Sequence, residues 1–158
     1  MIDKKQIIEE LRKDFGSFKK EFEFKPSFEE IDELFNLKND VLSKGFVPEQ
    51  FQRYVCSLIG EYFRGWHGYL NGLLVPHTNY FANQTEAKLF NNDTDRKAIW
   101  DLIGNAMKFS SWSAIINFGE DSKEIKKFLN ESYKYCYFEF RPKLLEILKR
   151  VNEAWEEK

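Results

Sequence analysis

The chain has 158 residues, the size of a single domain with a substantial hydrophobic core. Its residues are 42% hydrophobic and 32% charged, which excludes the composition of an intrinsically disordered chain. The formal net charge of −2 excludes, as a bulk property, the strongly basic surface of many nucleic-acid-binding domains.

The N-terminal residues are charged and amphipathic, unlike a secretory signal peptide. No apolar run approaches the ~20 residues that a membrane span needs. Cys56 and Cys136 lie far apart and in no metal-binding motif, so we expect two free, buried thiols in a reducing compartment. The sequence therefore predicts one soluble, cytoplasmic domain over residues 1–158.

Two amphipathic helices are predicted first. Residues 3–24 carry apolar side chains at helical spacing, and Gly16 is expected to bend or break this helix. Ser27 and Glu30 form a capping box for a second helix that ends at Gly45. Both helices have rich polar faces, so we expect them on the outside of the fold.

A long, mostly buried helix is predicted over residues 48–72, with Pro48 in its first turn and Gly72 at its end. Helical spacing on one face predicts that this face is buried. Its apolar residues are Val55, Leu58, Ile59, Tyr62, Phe63, Trp66, Tyr69, Leu70 and Leu73.

Another face of this helix carries Gly65, Gly68 and Gly72. Each glycine lowers helix stability by about 1 kcal/mol relative to alanine, so the pattern indicates that another body approaches closely. A tightly crossing helix of the same fold is the simplest explanation. A ligand or a partner protein is the alternative.

Residues 73–94 are rich in Asn, Thr and Asp, and we expect the longest irregular segment here, with a short helix around Gln84–Phe90. Irregular segments of this length often carry a function. A functional loop and a packed structural loop are both consistent with the sequence.

The helix predicted over residues 95–118 is apolar on nearly every side. A helix without a polar face is usually buried, so we expect it to pack against the central helix as the second core element. Its apolar residues are Ile99, Trp100, Leu102, Ile103, Ala106, Met107, Phe109, Trp112, Ile115 and Ile116.

Two more helices are expected at the C-terminal end. Asp121 caps the first, and Pro142 either interrupts the chain or lies in the first turn of the second. Residues 133–140 also alternate like a strand, but no second strand is predicted, so helix is preferred. The predicted fold is an all-α, compact bundle of five or six helices with two buried central helices.

Polar residues beside the glycines form a candidate ligand-binding site. Neutral imidazoles and carboxylates bind metals, and His67 and His77 could converge with Glu61 or Asp101. Glu61 and His67 are not spaced to share a helix face, so no metal site and no cofactor are assigned. The alternatives are a core role for His67 and a turn role for His77. The candidate residues are Glu61, Arg64, Gly65, His67, Gly68 and His77.

No catalytic residue is assigned. Cys56 and His67 would lie roughly 16 Å apart along one helix, which excludes a nucleophile–base pair.

Aromatic residues of the middle third suggest an interface. Residues 45–94 hold 10 of the 27 aromatic residues but only seven charged ones. Interface cores have a similar composition. The candidate interface residues are Tyr62, Trp66, Tyr69, Tyr80, Phe81 and Trp112.

Basic and aromatic residues alternate between positions 126 and 150, as in proteins that stack on single-stranded nucleic acid. Glutamates at helical spacing between them favour an ordinary solvated helix surface instead. We therefore expect a non-enzymatic interaction or regulatory protein that acts through helical surfaces, alone, as an oligomer or in a complex. The alternatives are a small-molecule- or metal-binding bundle with a site near His67 and His77, and an RNA- or single-strand-binding protein. A protein partner or self-association is favoured over nucleic acid, and no membrane association is expected.

Overall fold

The computed structural model describes residues 3–119 and 121–158. Every regular element in these ranges is helical and none is a strand, which confirms the predicted all-α fold. The α-helices are α1 (Lys4–Glu21), α2 (Phe28–Phe35), α3 (Leu37–Lys44), α4 (Phe51–Leu74), α5 (Phe81–Ala87), α6 (Asp93–Ile116), α7 (Ser122–Tyr135) and α8 (Arg141–Glu156).

Two short helical turns complete the fold. Lys88–Phe90 is a 3₁₀ turn after α5, and Cys136–Phe140 is a π-helical turn that joins α7 directly to α8. With α7 and α8 counted as one continuous helix, the described residues contain seven helices rather than the predicted five or six.

The two longest helices, α4 and α6, pack side by side and antiparallel. Asn117 of α6 donates from Nδ2 to Oγ of Ser57 at 3.0 Å, and Arg64 Nε of α4 donates to Oγ of Ser110 at 3.2 Å. The residue number rises along one helix as it falls along the other, which fixes the antiparallel direction.

Phenylalanines dominate the interior, as the heavy aromatic composition suggests. The ring of Phe63 stacks on Phe109 with centroids 5.2 Å apart and meets Phe140 edge-on at 5.1 Å. One hydrophobic cluster extends from Ile7 in α1 to Val151 in α8. The core thus includes residues from nearly the whole chain.

The N-terminal helices follow their local signals with two exceptions. The capping box of Ser27 and Glu30 is confirmed, but the expected break at Gly16 is absent, because α1 runs from Lys4 to Glu21 as one helix. The expectation of a single helix ending at Gly45 is wrong, because Asn36 adopts the left-handed conformation with φ 58° and separates α2 from α3. Asparagine enters this region more easily than most residues, which permits a break without glycine.

The segment 73–94 is far less irregular than expected. It contains α5 and the 3₁₀ turn, so only residues 75–80 and the short turn before α6 lack helix. Helix α4 begins at Phe51, three residues after Pro48, and continues through Gly72 to Leu74. Neither Pro48 nor Gly72 therefore marks a boundary of this helix.

The expectation that the helix over residues 95–118 is buried on every side is wrong. Helices α4 and α7 cover two sides of α6, while Trp100, Met107 and Ile115 on a third side face solvent. Periodicity within one helix does not show how many neighbours it has.

Residues 133–140 are helical, as preferred, and Pro142 lies in the first turn of α8. Cys56 and Cys136 are free and buried, as predicted. No helix among the described residues combines the length and the apolar character needed to cross a lipid bilayer.

Candidate functional site

Arg64 and Glu61 of the candidate ligand site already bind each other. The Arg64 Nη1 lies 3.0 Å from a Glu61 carboxylate oxygen, and the Arg64 Nε donates to Ser110. Both side chains are exposed on α4, one turn apart. Contacts within the fold therefore fix the orientation of the guanidinium, and it does not point into an enclosed site.

The glycines of α4 have three different surroundings. A Cβ built on Gly72 would lie 2.6 Å from Nδ2 of Asn83, so packing explains this glycine. A Cβ on Gly65 or Gly68 would meet no atom within 4 Å, so the expected crossing helix is absent there and that explanation is wrong for both. The backbone of α4 at Gly65 and Gly68 is open to solvent.

His77 stabilises a turn. Its Nδ1 accepts a hydrogen bond from the backbone N–H of Asn79 at 3.2 Å, and its own N–H donates to Oδ1 of Asn83 at 2.6 Å. The imidazole also packs against Tyr80, with ring centroids 4.8 Å apart. One ring nitrogen is thus already engaged with the backbone.

His67 is half-buried on α4. Asp101, the alternative carboxylate ligand, is on the exposed side of α6 and pairs with Lys97 at 2.9 Å. Among the residues that the structure describes, no three His, Cys, Asp or Glu side chains converge closely enough to hold a metal ion.

A pocket of about 400 Å³ lies between the end of α4 and α5, beside the 75–80 segment. Leu74, Thr78, Gln84 and Arg96 contribute to its wall, and neither histidine lines it. Nor does it reach the exposed glycines, so the candidate ligand residues do not share one cavity.

Four of the six candidate interface aromatics are packed within the fold. The ring of Tyr62 meets Phe35 at 5.1 Å, and burial raises the pKa of Tyr69 to about 12. Trp112 donates from Nε1 to Glu124 at 3.2 Å, and Trp66 is half-buried against the core.

The other two candidate aromatics face solvent next to each other. Tyr80 is 65% exposed and Phe81 is 79% exposed at the start of α5. Both residues lie at the first turn of a short helix, so they form a small local patch and no extended surface.

Helix α6 and the turn after it carry a stripe of exposed apolar side chains. Four large side chains are exposed on it: Trp100 at 65%, Met107 at 42%, Ile115 at 68% and Phe118, just after the helix, at 94%. At about 100° per residue they share an arc of roughly 80° with two small residues. We call this set the α6 outer face: Trp100, Gly104, Met107, Ser111, Ile115 and Phe118.

Charged residues flank the α6 outer face at both ends. Lys97 lies one turn before Trp100 on the same side of the helix. At the other end, Asp121 and Glu124 line a small pocket of about 110 Å³ whose wall includes Ile115 and Ile116. Near its start the outer face has Lys97, which pairs with Asp101, and Asp93 one turn earlier; near its end it has the carboxylates of Asp121 and Glu124.

Three of the basic residues between 126 and 150 form ion pairs with acidic neighbours. Lys126 contacts Glu23 at 2.6 Å, and Arg141 contacts Glu33 at 2.7 Å. Arg150 similarly binds Asp95 at 2.9 Å. These ion pairs reduce the positive potential that a phosphate backbone would meet.

Sequence reasoning treated Trp100, Met107 and Ile115 as core residues and did not consider Phe118 as a surface residue. The all-round apolar pattern of the helix was the relevant signal. Such a pattern is equally consistent with a helix whose last side is covered by another molecule.

Comparison with protein-family models, with curated proteins and with solved structures gave no match for this chain.

Proposed function

We propose that this chain is a non-enzymatic, cytoplasmic interaction protein that associates with a protein partner through the α6 outer face. The single observation that supports the proposal is the exposed apolar stripe from Trp100 to Phe118 on α6 and the turn after it. We further infer that α4 and α6 act as the central pair of the fold on which this face is built.

The size of the stripe favours a binding role. A buried aromatic side chain covers about 150–250 Å², and Trp100, Met107, Ile115 and Phe118 are 42–94% exposed, so together they offer on the order of 500 Å². The largest apolar patch of a typical monomeric protein covers about 300–600 Å² and is often functional, so the stripe has the size of a functional patch. The cost of leaving this surface in water is offset when a partner covers it.

The composition of the stripe also favours a protein partner. None of its six residues is charged, and charged residues are depleted at the centre of protein interfaces. The flanking residues Lys97, Asp101 and Lys108 would form a polar rim. A hydrophobic centre with a polar rim is the usual organisation of such interfaces.

The test compares Trp100→Glu with Leu145→Glu. Both residues are exposed on helices, but Leu145 lies on α8 and outside the α6 outer face. Size-exclusion chromatography with light scattering and affinity capture from cell extract would measure association. We expect Trp100→Glu to abolish it and Leu145→Glu to leave it intact.

Both substitutions are on the surface, so each should change the free energy of unfolding by about 0.5 kcal/mol or less. Circular dichroism melting checks that both variants fold. If the wild type neither self-associates nor captures a protein in a Trp100-dependent way, the proposed function is wrong.

A further inference from the structure

Four of the six residues of the α6 outer face are arranged symmetrically about a midpoint between Met107 and Lys108, whereas Phe118 mirrors Lys97. Trp100 and Ile115 are equally far from this midpoint, and so are Gly104 and Ser111. When a helix packs antiparallel against its own copy, positions equally far from the centre face each other. Large residues then meet large ones at the ends, and small residues meet small ones near the centre.

Building on the proposed function, we propose that the partner is a second copy of this chain. The two α6 outer faces pack antiparallel around a twofold axis beside Met107. Twofold dimers use one self-complementary patch on both subunits, and the mirror pattern supplies such a patch. The two Met107 side chains lie against each other between the small layers, where flexible methionine fills irregular space well.

The charges at the two ends of the face favour the antiparallel direction. Lys97 is at the N-terminal end, held only by an exposed pair with Asp101. Asp121 and Glu124 are at the C-terminal end, on the rim of the pocket beside Ile115. Antiparallel packing brings Lys97 of one copy to the carboxylates of the other at both ends. Parallel packing would bring like charges together.

Besides Arg64, which pairs with Glu61, Lys108 is a cation near the proposed axis. Its ammonium lies over the rings of Phe109 and Trp112, 5.2 and 6.0 Å from their centroids. Both rings are further along α6 than Lys108, so the charge leans away from the axis. Repulsion between the two copies is reduced accordingly.

Space beside the stripe permits close approach. The pairing of Arg64 with Ser110 sets the register of α4 against α6 and brings Gly68 level with Ala106, close to Met107. Gly65 and Gly68 have no side chains, and a Cβ built on either would meet no atom within 4 Å. The surface of α4 therefore protrudes little at these two positions. A helix of the second copy can therefore pack on α6 without colliding with α4.

The area agrees with a stable dimer. A standard interface buries about 800 Å² on each partner. The four large side chains supply roughly 500 Å² of that. Gly104, Ser111, Lys97 and the open backbone of α4 would contribute the remainder.

Disulfide cross-linking in the full chain tests the arrangement. In Met107→Cys the two introduced thiols face each other, so mild oxidation should give a covalent dimer. In Trp100→Cys the two copies of residue 100 are about 22 Å apart along the antiparallel helices, so no self-cross-link should form. A mixture of Trp100→Cys and Ile115→Cys chains should instead cross-link to each other. The native Cys56 and Cys136 are buried and should not interfere.

Charge reversal tests the same geometry without oxidation. Lys97→Glu and Glu124→Lys should each raise the dimer dissociation constant about tenfold, because each alters two pairs per dimer. The double variant should restore wild-type association. Light scattering should report about twice the 18.9 kDa chain mass for the wild type and for the double variant.

One of three results would overturn the antiparallel arrangement, and the other two would overturn the second copy itself. Self-cross-linking of Trp100→Cys would show parallel packing. A monomeric wild type with no cross-link in Met107→Cys would show that no second copy binds. Wild-type co-sedimentation with liposomes of neutral and anionic phospholipid, lost in Trp100→Glu, would show that a lipid surface covers the face.

The proposed function fails by a different result. If the wild type is monomeric but captures another protein that Trp100→Glu does not, the second-copy proposal is wrong and the proposed function stands. If Trp100→Glu changes neither self-association nor capture, both are wrong.

Discussion

Gly60 of α4 and Ser113 of α6 form a close contact between the two long helices. A Cβ built on Gly60 would lie 2.5 Å from the Cβ of Ser113, and Oγ of Ser113 donates to the carbonyl of Cys56 at 2.8 Å. Both residues are buried. The missing side chain of Gly60 thus sets the distance between α4 and α6 and leaves the serine hydroxyl close enough to bond the opposite backbone.

Gly60→Ala should lower the free energy of unfolding by about 2 kcal/mol. The added methyl group must push the two helices apart, and overpacking of this kind typically costs 1–3 kcal/mol. Urea unfolding monitored by circular dichroism measures the change. Unaltered stability would show that the helices separate without cost.

Gly65→Ala and Gly68→Ala should have the opposite effect and serve as controls for Gly60→Ala. Within one chain their Cβ atoms would meet no atom within 4 Å, so in the monomeric protein only helix propensity changes. Each should raise the free energy of unfolding by about 0.5–1 kcal/mol. A loss of stability in either variant would mean that a neighbour already occupies this space.

Both thiols should be inert in the folded protein. Burial raises the pKa of Cys56 and of Cys136 to about 12 each. At pH 8, a thiol reagent such as DTNB should modify neither residue rapidly in the native protein and both in 6 M urea. Rapid reaction of one native thiol would contradict the burial.

The same pKa shifts predict a pH dependence of stability. Thiols in the unfolded chain ionise near pH 9 and those in the folded chain near pH 12. The stability linked to the protonated thiols is therefore fully present below pH 9 and is lost as the pH rises through this window. Comparison with Cys56→Ala and Cys136→Ala in the same urea titrations isolates the contribution of each thiol.

Asn36 should tolerate glycine better than alanine. Its backbone is left-handed, with φ 58° and ψ 39°, and the side chain bonds Asn39 at 2.9 Å. Asn36→Ala should cost about 1 kcal/mol more than Asn36→Gly, because alanine has a steric penalty in this region that glycine lacks. Both variants lose the bond to Asn39, so urea unfolding of the pair measures the backbone effect alone.

Arg150→Lys should lower the free energy of unfolding by about 1 kcal/mol, whereas Lys149→Ala, its exposed neighbour, should have little effect. The Arg150 guanidinium binds both carboxylate oxygens of Asp95 at 2.9–3.0 Å and the Leu89 carbonyl at 2.9 Å. A lysine ammonium cannot reproduce this fork.

The effect of Arg150→Lys should depend on pH. The hydrogen bond from Arg150, aided by one from Asn92, lowers the pKa of Asp95. The stability from this pair is present above the ordinary carboxyl pKa and is lost as the pH falls below it. The difference between wild type and Arg150→Lys in urea unfolding should therefore shrink below about pH 4. The Arg150 guanidinium also lies over the Phe90 ring, 4.5 Å from its centroid, and a constant difference would assign the effect to this contact.

Local signals in the sequence were sufficient for most helix starts. Ser27 with Glu30 and Asp121 are short-range caps, and each operates as its residue type predicts. The break at Asn36 was missed because asparagine is also found inside helices. Only its neighbours in space decide which conformation it takes.

The candidate site was harder to predict than the fold, for a physical reason. The sequence shows that apolar residues lie on three sides of α6. Only the tertiary packing shows that α4 and α7 cover two of these sides and leave the third in contact with solvent. Trp100 and Phe109 are equally hydrophobic, yet one is exposed and the other buried. The same limit applies to the glycines of α4. The sequence shows that a side chain is missing, but it does not show whether a neighbouring residue occupies the space.

The π-helical turn at Cys136–Phe140 corrects the phase between two helices. On an uninterrupted α-helix, the buried faces of α7 (Ile125, Phe128, Leu129) and α8 (Leu144, Ile147, Val151) would point roughly 85° apart. A π turn holds about one residue more than an α turn and so rotates the chain less per residue. The turn thereby absorbs nearly the whole mismatch, and a continuous helix from Ser122 to Glu156 keeps its apolar side on the core. The insertion of one residue into an α-helix would produce such a turn. Both packed surfaces, that of α7 and that of α8, would then keep their contacts with the core.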